Sequence, residues 1–425
     1  MRSLWTNRRY VTWLVSDTSK GLAGTLFSFA IPLIALIVTN DPAQAGVIGG
    51  VGMAVRLIAM IYGGVLADRH DRIALMLLGA AVGTVLATGF LVLALSDALT
   101  FTTLLVAQVL LVARAGLFDP AGESALKEIV PSEAMGRAQA ANQGRDAVLQ
   151  LAGGPLGGAL LAGGAWFIGA AMTIGYGFAA LTAWRLRAAP AGQRAFDPQE
   201  SVAPARDTLR EVREGFSFLL SRPDLSGVLW ITTIVNLGFN AALTTVIFSL
   251  QQSGHAELTI GWLSAVLGGT MLVGAIMAPR LVARVGAGIL TIVGLGIAAV
   301  GVIALNAVHE PWVIAIVLAA SVLLLPALNS SMLGYFMVAT PTRLLGRANS
   351  ALGVLSMGAM PLAPLIAGFG LAWFGRGPTL LLTAALCLVS AVLAAGNRTL
   401  RELPAEPGWA AHADRFERAG SASGH

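Results

Sequence analysis

Charged residues are scarce in this chain of 425 residues. Lys, Arg, Asp and Glu together make up 12% of it, whereas hydrophobic residues make up 56%. The mean hydropathy is +0.76, and a typical soluble domain carries roughly twice as many charged residues, about 25%. A soluble fold of this composition would leave too much apolar surface in contact with water. The composition therefore excludes a soluble globular protein and indicates an integral membrane protein.

Cysteine is almost absent as well. Cys387 is the single cysteine, so the chain forms no internal disulfide and no metal site built from cysteines. A nucleotide-binding loop is also missing, which excludes a primary pump. The net charge is +5, but the basic residues occur in short clusters between apolar runs and form no aromatic-laced face. We expect no nucleic-acid partner, no metal and no cofactor.

Long apolar runs are abundant, and twelve of them approach the length of about 20 residues that a membrane-spanning helix needs. They lie near residues 10–39, 45–67, 73–95, 101–118, 138–161, 165–186, 225–250, 260–281, 289–307, 312–337, 348–373 and 378–395. The first run is too long for a signal peptide and carries Asp17 and Lys20. The sequence therefore predicts an all-α integral membrane protein with twelve transmembrane helices.

The basic residues outside these runs lie in alternate loops. Nearly all fall on the side of the amino terminus, and the opposite loops hold only Arg376. Cytoplasmic loops of membrane proteins are enriched in Lys and Arg. We therefore expect a multi-pass protein of the bacterial inner membrane with both termini in the cytoplasm.

Internal repetition divides the chain into two halves. The pattern Pro, four residues, Gly, Arg, Ala begins at Pro131 and again at Pro341, and Gly46 and Arg69 recur 215 positions later. We predict a pseudo-symmetric pair of six-helix halves, 1–186 and 225–397, with a cytoplasmic tail at 398–425. The linker 187–224 is predicted to contain an amphipathic helix, because Thr208 and Glu211 have capping-box spacing.

The loop after the second run reads Gly64-Val-Leu-Ala-Asp68-Arg69-His70-Asp71-Arg72. It resembles the signature loop of the major facilitator superfamily, although Asp71 replaces the second glycine of that signature. The alternative interpretation is a basic cytoplasmic loop with incidental carboxylates.

The resemblance implies that Gly64, Asp68, Arg69 and Arg72 form a gating loop. It places Asp68 near the start of the helix at Ala348. It also implies that Arg72 lies near Asp119 or Glu123 on the fourth helix.

A glycine-rich segment with Pro155, residues 153–158, is similar to the Gly-Pro motif of the family's antiporters, with spacing one residue short. The alternative is close packing of small residues with a proline bend. Together with residues 17–32, the signature loop and the passage 213–223, this segment resembles the macrolide- and siderophore-exporter branch. That resemblance implies export.

Six ionisable residues lie inside the predicted helices, all in the first half. They are Asp17, Lys20, Arg56, Arg114, Arg145 and Asp146. Charges in a membrane span are costly and therefore candidates for function. The two acids are candidates for proton coupling, or else they only neutralise basic neighbours as structural pairs.

The four basic residues are candidates for the substrate cavity, as are three amides of the second half, Asn236, Asn240 and Asn329. The six charges sum to +2, with Lys20 and Arg56 near the middle of the membrane. We therefore expect a preference for neutral or anionic amphiphiles over lipophilic cations.

These features predict a secondary active transporter, not an enzyme. It exports small amphiphilic molecules, of a drug, antibiotic or siderophore-like kind, by alternating access coupled to proton influx. The alternative on the same fold is a proton-coupled importer of a small metabolite. A channel would require a pore-lining ring or filter, and an enzyme a catalytic constellation, and the sequence contains neither. We expect a monomer whose partners are its substrate, protons and the lipid bilayer.

Overall fold

A computed structural model of the chain describes residues 4–131, 134–188, 217, 223–341, 352–353 and 357–414. All regular secondary structure in these residues is helical. The predicted linker helix around Thr208 and the expected helix start at Ala348 lie outside the described residues. Most of the second copy of the repeated pattern, which begins at Pro341, does as well.

Six long helices form the first part of the chain. They are α1 (Arg8–Thr39), α2 (Pro42–Arg69), α3 (Arg72–Leu95), α4 (Phe101–Ile129), α5 (Met135–Ala162) and α6 (Ala165–Ala188). Polar residues begin several of them. The side chain of Asn7 accepts hydrogen bonds from the first amides of α1, and Asp41 does so for α2, with Pro42 as the first helical residue.

Eight helices with defined bounds follow in the described residues. They are α7 (Pro223–Gln252), α8 (Glu257–Arg284), α9 (Ala287–Ala304), α10 (Pro311–Val322), α11 (Leu325–Ala339), α12 (Leu362–Phe374), α13 (Arg376–Gly396) and the short α14 (Arg398–Arg401). The helices α10 and α11 form one apolar span, which two turn residues interrupt just before Pro326.

Ten spans in the described part of the chain are long and apolar enough to cross a membrane. The long but more polar α5 and the shorter apolar α12 bring the total to the predicted twelve. The chain is therefore an all-α membrane protein with twelve membrane helices.

The chain divides into two compact units. The first comprises residues 1–202 and 250–265, and the second residues 203–249 and 266–425. In the first unit, α3 packs against α6, α2 against α4, and α1 against α6. Gly116 allows the close approach of α2 and α4, because a Cβ atom there would lie 2.6 Å from the Cβ of Ala59.

In the second unit, α9 packs against α10 and α13. Its buried core extends beyond the membrane helices into the chain that follows α13. Leu400, Leu403 and Trp409 belong to the same apolar cluster as Tyr335 and Leu290. Residues of the predicted tail are thus part of a folded core.

Candidate functional site

The first unit contains a buried carboxylate between two cations. Asp17 is only 6% exposed. Its Oδ1 lies 2.8 Å from Nζ of Lys20, one turn along α1, and its Oδ2 lies 2.7 Å from Nη1 of Arg145 on α5. The helical spacing explains the first pair, because residues three apart share one face. The second pair forms only because α5 packs against α1.

Asp119 on α4 extends this pair into a network. Its Oδ1 lies 3.5 Å from Nζ of Lys20 and 3.6 Å from Nη2 of Arg114. Arg114 is 4% exposed and also donates to the carbonyl of Gly79 at 3.3 Å. The guanidinium lies over the ring of Tyr176, 4.5 Å from its centroid, and donates to the Tyr176 hydroxyl at 3.4 Å.

The third carboxylate of the network is Asp146. Its Oδ1 accepts from Arg145 Nη2 at 2.8 Å and from Arg145 Nε at 3.0 Å. The side chain of Asp146 is 53% exposed, whereas that of Arg145 is 16% exposed. Asp146 thus occupies the open edge of the network, while Asp17 occupies its interior.

We refer to these six residues as the charge network. Its members are Asp17, Lys20, Arg114, Asp119, Arg145 and Asp146. Three are acidic and three are basic, so the formal charge of the network is zero. A charge-balanced network with direct contacts avoids the large cost of an unpaired buried ion. The network therefore lacks the net positive charge that counting along the sequence suggested.

Neighbouring side chains hold the network in place. The indole Nε1 of Trp13 donates to the carbonyl of Gly122 at 2.9 Å, and its ring lies 5.9 Å from the guanidinium of Arg145. Ser16 donates to the carbonyl of Ala179 at 2.9 Å. These contacts connect α1 to α4 and α6 beside the charged groups.

The prediction that Arg72 pairs with Asp119 or Glu123 is wrong. Arg72 Nη1 forms an ion pair with Glu128 Oε1 at 3.0 Å, not with Asp119 or Glu123. The reason is that α4 continues through Pro120 to Ile129 and does not end near Phe118. The carboxylate level with the loop is therefore Glu128, and Asp119 lies further inside the bundle.

The departure from the signature loop has a structural role. The side chain of Asp71 caps α3 by accepting from the amide of Ala74 at 2.8 Å. Asp68 and Arg69 are exposed at the end of α2. A Cβ atom at Gly64 would meet no heavy atom of the described residues within 4 Å.

Two candidates of the first unit lie apart from the charge network. Arg56 is exposed half-way along α2, and no carboxylate of the described residues forms an ion pair with it. Glu123 is exposed on α4, one turn beyond Asp119.

The second unit contains a cavity of about 60 Å³ that is partly open to its surroundings. Its lining comprises Ile231, Thr232, Val235, Asn236, Phe239, Thr291, Leu295, Ala298, Leu325, Leu328, Asn329, Met332 and Leu400. None of these residues is ionisable. The cavity brings together two of the predicted amides, Asn236 and Asn329. The third, Asn240, is not part of the lining and donates instead to the carbonyl of Asn236 at 2.8 Å.

The sequence matches the Major Facilitator Superfamily over residues 18–359. The chain belongs to this superfamily. Its members transport small molecules across membranes, in agreement with the buried charges and the uncharged cavity. The chain is 29% identical to the enterobactin exporter EntS of Citrobacter koseri over 398 residues. The alignment covers 86% of this chain and 89% of that protein. It is also 29% identical to the enterobactin exporter EntS of Escherichia coli O127:H6 over 354 residues, and this alignment covers 80% of this chain and 79% of that protein.

Solved structures support the fold of this superfamily protein. A bacterial homologue of the iron transporter ferroportin, in an inward-facing state, has a TM-score of 0.70 at 15% identity and covers 93% of this chain and 99% of its own. A D-xylose–proton symporter has a TM-score of 0.64 at 15% identity, with coverage of 93% and 98%. At such identities the likeness shows a common fold and not a common substrate.

Some members of the site were not found by sequence reasoning. Tyr176 and Trp13 are uncharged aromatic residues within apolar runs, so nothing in the sequence distinguishes them from other buried aromatic residues. Glu128 lies beyond the apolar run from which the fourth helix was predicted. A prediction that continued this helix through Pro120 would have included it. Asp119, which the resemblance placed near Arg72, contacts Lys20 and Arg114.

Proposed function

We propose that this superfamily protein is a secondary active exporter that couples the outward movement of a small amphiphilic molecule to proton influx. The single observation that supports coupling is the position of Asp17, buried between Lys20 and Arg145. Both cations have a second carboxylate within reach. A proton on Asp17 would remove its charge and weaken its two ion pairs.

The second partners define what protonation does. Without the Asp17 charge, Lys20 turns towards Asp119, which is already 3.5 Å away. Arg145 keeps its bond to Asp146 at 2.8 Å. Protonation thereby loosens α1 from α5 and strengthens its tie to α4. Such an exchange of partners is a two-state element, which proton-driven alternating access requires.

Several further features belong to the same proposal. We infer that both termini lie in the cytoplasm of a bacterial cell, from the distribution of Lys and Arg, and that the protein acts as a monomer. The loop from Gly64 to Arg72 acts as a gating loop in this scheme, and the Arg72–Glu128 pair ties it to α4.

The direction and the substrate are supported by the relatives. Those named above are enterobactin exporters, which favours export of a siderophore-like molecule over the drug and antibiotic alternatives. Arg56 adds a positive charge that the charge network does not balance, so we propose neutral or anionic amphiphiles as substrates. The amides Asn236 and Asn329 supply hydrogen bonds in a cavity whose lining is mostly apolar.

The test is transport in proteoliposomes with an imposed pH gradient. An acidic amphiphile and a lipophilic cation of similar size are compared in the wild-type protein and in Arg56→Ala. We expect the wild type to move the acidic compound against its gradient, in the direction opposite to the protons, and Arg56→Ala to lose the preference.

Two results would contradict parts of the proposal. Movement of substrate in the same direction as protons would favour the importer, a class represented by the D-xylose–proton symporter among the solved structures. Preferential transport of the cation, unchanged in Arg56→Ala, would remove the charge argument.

A further inference from the structure

The segment that follows the last membrane helix folds back onto the second unit. We call residues 397–414 the strap. It contains one turn of helix, α14, one short 3₁₀ turn, Glu406–Gly408, and helical residues 409–414. The side chain of Asn397 begins α14 by accepting from the amide of Leu400 at 3.1 Å.

The strap supplies the missing cap of α9. That helix begins after Gly286 and has no side-chain cap, so its first amides need other acceptors. The carbonyl of Pro404 accepts from the amide of Ala287 at 3.1 Å, and the carbonyl of Leu403 from the amide of Gly288 at 3.3 Å. The strap is therefore bonded to the start of α9 through its backbone.

Two aromatic contacts attach the strap to α11. Trp409 is 6% exposed and lies against Gly334, where a Cβ atom would be 2.5 Å from its ring. The indole Nε1 donates to the carbonyl of Pro404 at 3.0 Å. His412 is also buried, and its Nδ1 lies 3.0 Å from the hydroxyl of Tyr335.

The strap also forms part of the cavity wall. Leu400 is 1% exposed and lines the cavity together with Thr291 of α9 and Asn329 of α11. The two helices that the strap joins are thus two of the helices that enclose the cavity. A movement of the strap would change the cavity on that side.

The contacts of the strap define what would have to break for it to move. The helical segments in its described residues are short, so its order depends on contacts with the second unit. Among the described residues these include the two backbone hydrogen bonds to α9, the contact of His412 with Tyr335 and the packing of buried side chains, namely Leu400, Leu403, Trp409, His412 and Ala413. Local opening of such a segment would leave the other helices of the unit folded.

We propose that the strap is a movable wall of the cavity. Docked, it closes the cavity on its own side, and undocked, it admits an uncharged amphiphilic ligand. The ligand class follows from a lining with amides and hydroxyls but no ionisable residue. The proposal rests on the proposed function in one respect only, the orientation that places the strap on the cytoplasmic side of the membrane.

The experiment measures access to the cavity and not transport. In a Cys387→Ser background, Met332→Cys places a thiol in the cavity wall. A membrane-impermeant maleimide is applied to inside-out vesicles, and the labelling rate is compared among strap variants. We expect Trp409→Ala to label on the order of tenfold faster than the intact strap, because loss of a buried aromatic ring favours the open state.

Gly334→Ala tests the same contact from the other side, since its methyl group would displace the ring of Trp409. We expect the same acceleration. Matched controls are Trp312→Ala, an exposed tryptophan of α10, and Gly296→Ala, where a Cβ atom would meet no described atom within 4 Å. Both should label at the rate of the intact strap.

A second arm tests the ligand class. In the Trp409→Ala background, octyl glucoside below its micelle concentration should slow labelling more than octyl trimethylammonium does. Equal protection by the two probes would overturn the assignment of an uncharged ligand.

Two outcomes would overturn the movable wall. One is labelling of both strap variants at the control rates, with all variants eluting as single species in size-exclusion chromatography. The other is loss of folded protein in both variants, which would make the strap a permanent part of the core. A protein that fails every proton-coupling test would still give the labelling result, so the two proposals are tested separately.

Discussion

Replacing Asp17 by asparagine removes the carboxylate that two cations share. Breaking a fully buried ion pair costs about 3–5 kcal/mol when it leaves a charge without a partner. In this protein Lys20 keeps Asp119 and Arg145 keeps Asp146. The amide of asparagine also still accepts a hydrogen bond. We therefore expect the free energy of unfolding to fall by less, about 1–3 kcal/mol.

The functional loss should be larger than the loss of stability. Asparagine cannot take up a proton, so the exchange of partners at Lys20 and Arg145 would have no trigger. We expect Asp17→Asn to lose accumulation against a gradient and to retain exchange of labelled for unlabelled substrate. Both are measured in proteoliposomes, with and without an imposed pH gradient, and thermal unfolding in detergent gives the stability.

The matched control is Asp146→Asn, which removes a carboxylate from the same network at its exposed edge. A partly exposed pair contributes about 0–1 kcal/mol, so this variant should unfold near the wild-type temperature. Gradient-driven accumulation by Asp17→Asn at the wild-type rate would refute the reasoning. It would leave Asp17 as a structural neutraliser of Lys20 and Arg145.

Two further predictions concern the loop and the topology. A double-mutant cycle of Arg72→Ala and Glu128→Gln, measured by thermal unfolding, should give a coupling energy of about 0.5–1 kcal/mol, because the pair is partly exposed. A coupling energy of zero would show that the 3.0 Å contact does not stabilise the protein. Fusions of a reporter that is active only in the cytoplasm should be active at the carboxyl end and near Glu200 and inactive near Glu257, and activity near Glu257 would overturn the orientation.

Much of the fold could be predicted from the sequence because the membrane imposes a simple rule. A helix must be apolar over about 20 residues to cross the bilayer, so the runs are visible without knowledge of their contacts. The ends were predicted less well. The fourth helix extends beyond the predicted end at Phe118 to Ile129, because hydropathy falls at Asp119 while the backbone hydrogen bonds continue past Pro120.

The site was only partly predictable, and the reason is distance along the chain. Asp17 and Lys20 are one turn apart, and their pairing follows from helical spacing. Arg145 and Asp119 lie about a hundred or more positions further along the chain, and only the packing of α1 with α5 and α4 brings Arg145 to Asp17 and Asp119 to Lys20. The count of +2 refers to a different set of residues from the charge network, since it left out Asp119 and included Arg56.

The sequence by itself determined the class of protein, the number of membrane helices and the residues that must be handled as buried charges. Each of these depends on local composition, because each residue contributes separately to the free energy of exposing apolar surface to water or of placing charge in lipid. The tertiary structure decided which carboxylate balances which cation, which acid pairs with Arg72, and that the strap caps α9. These depend on helix packing, which brings together side chains that no local pattern relates.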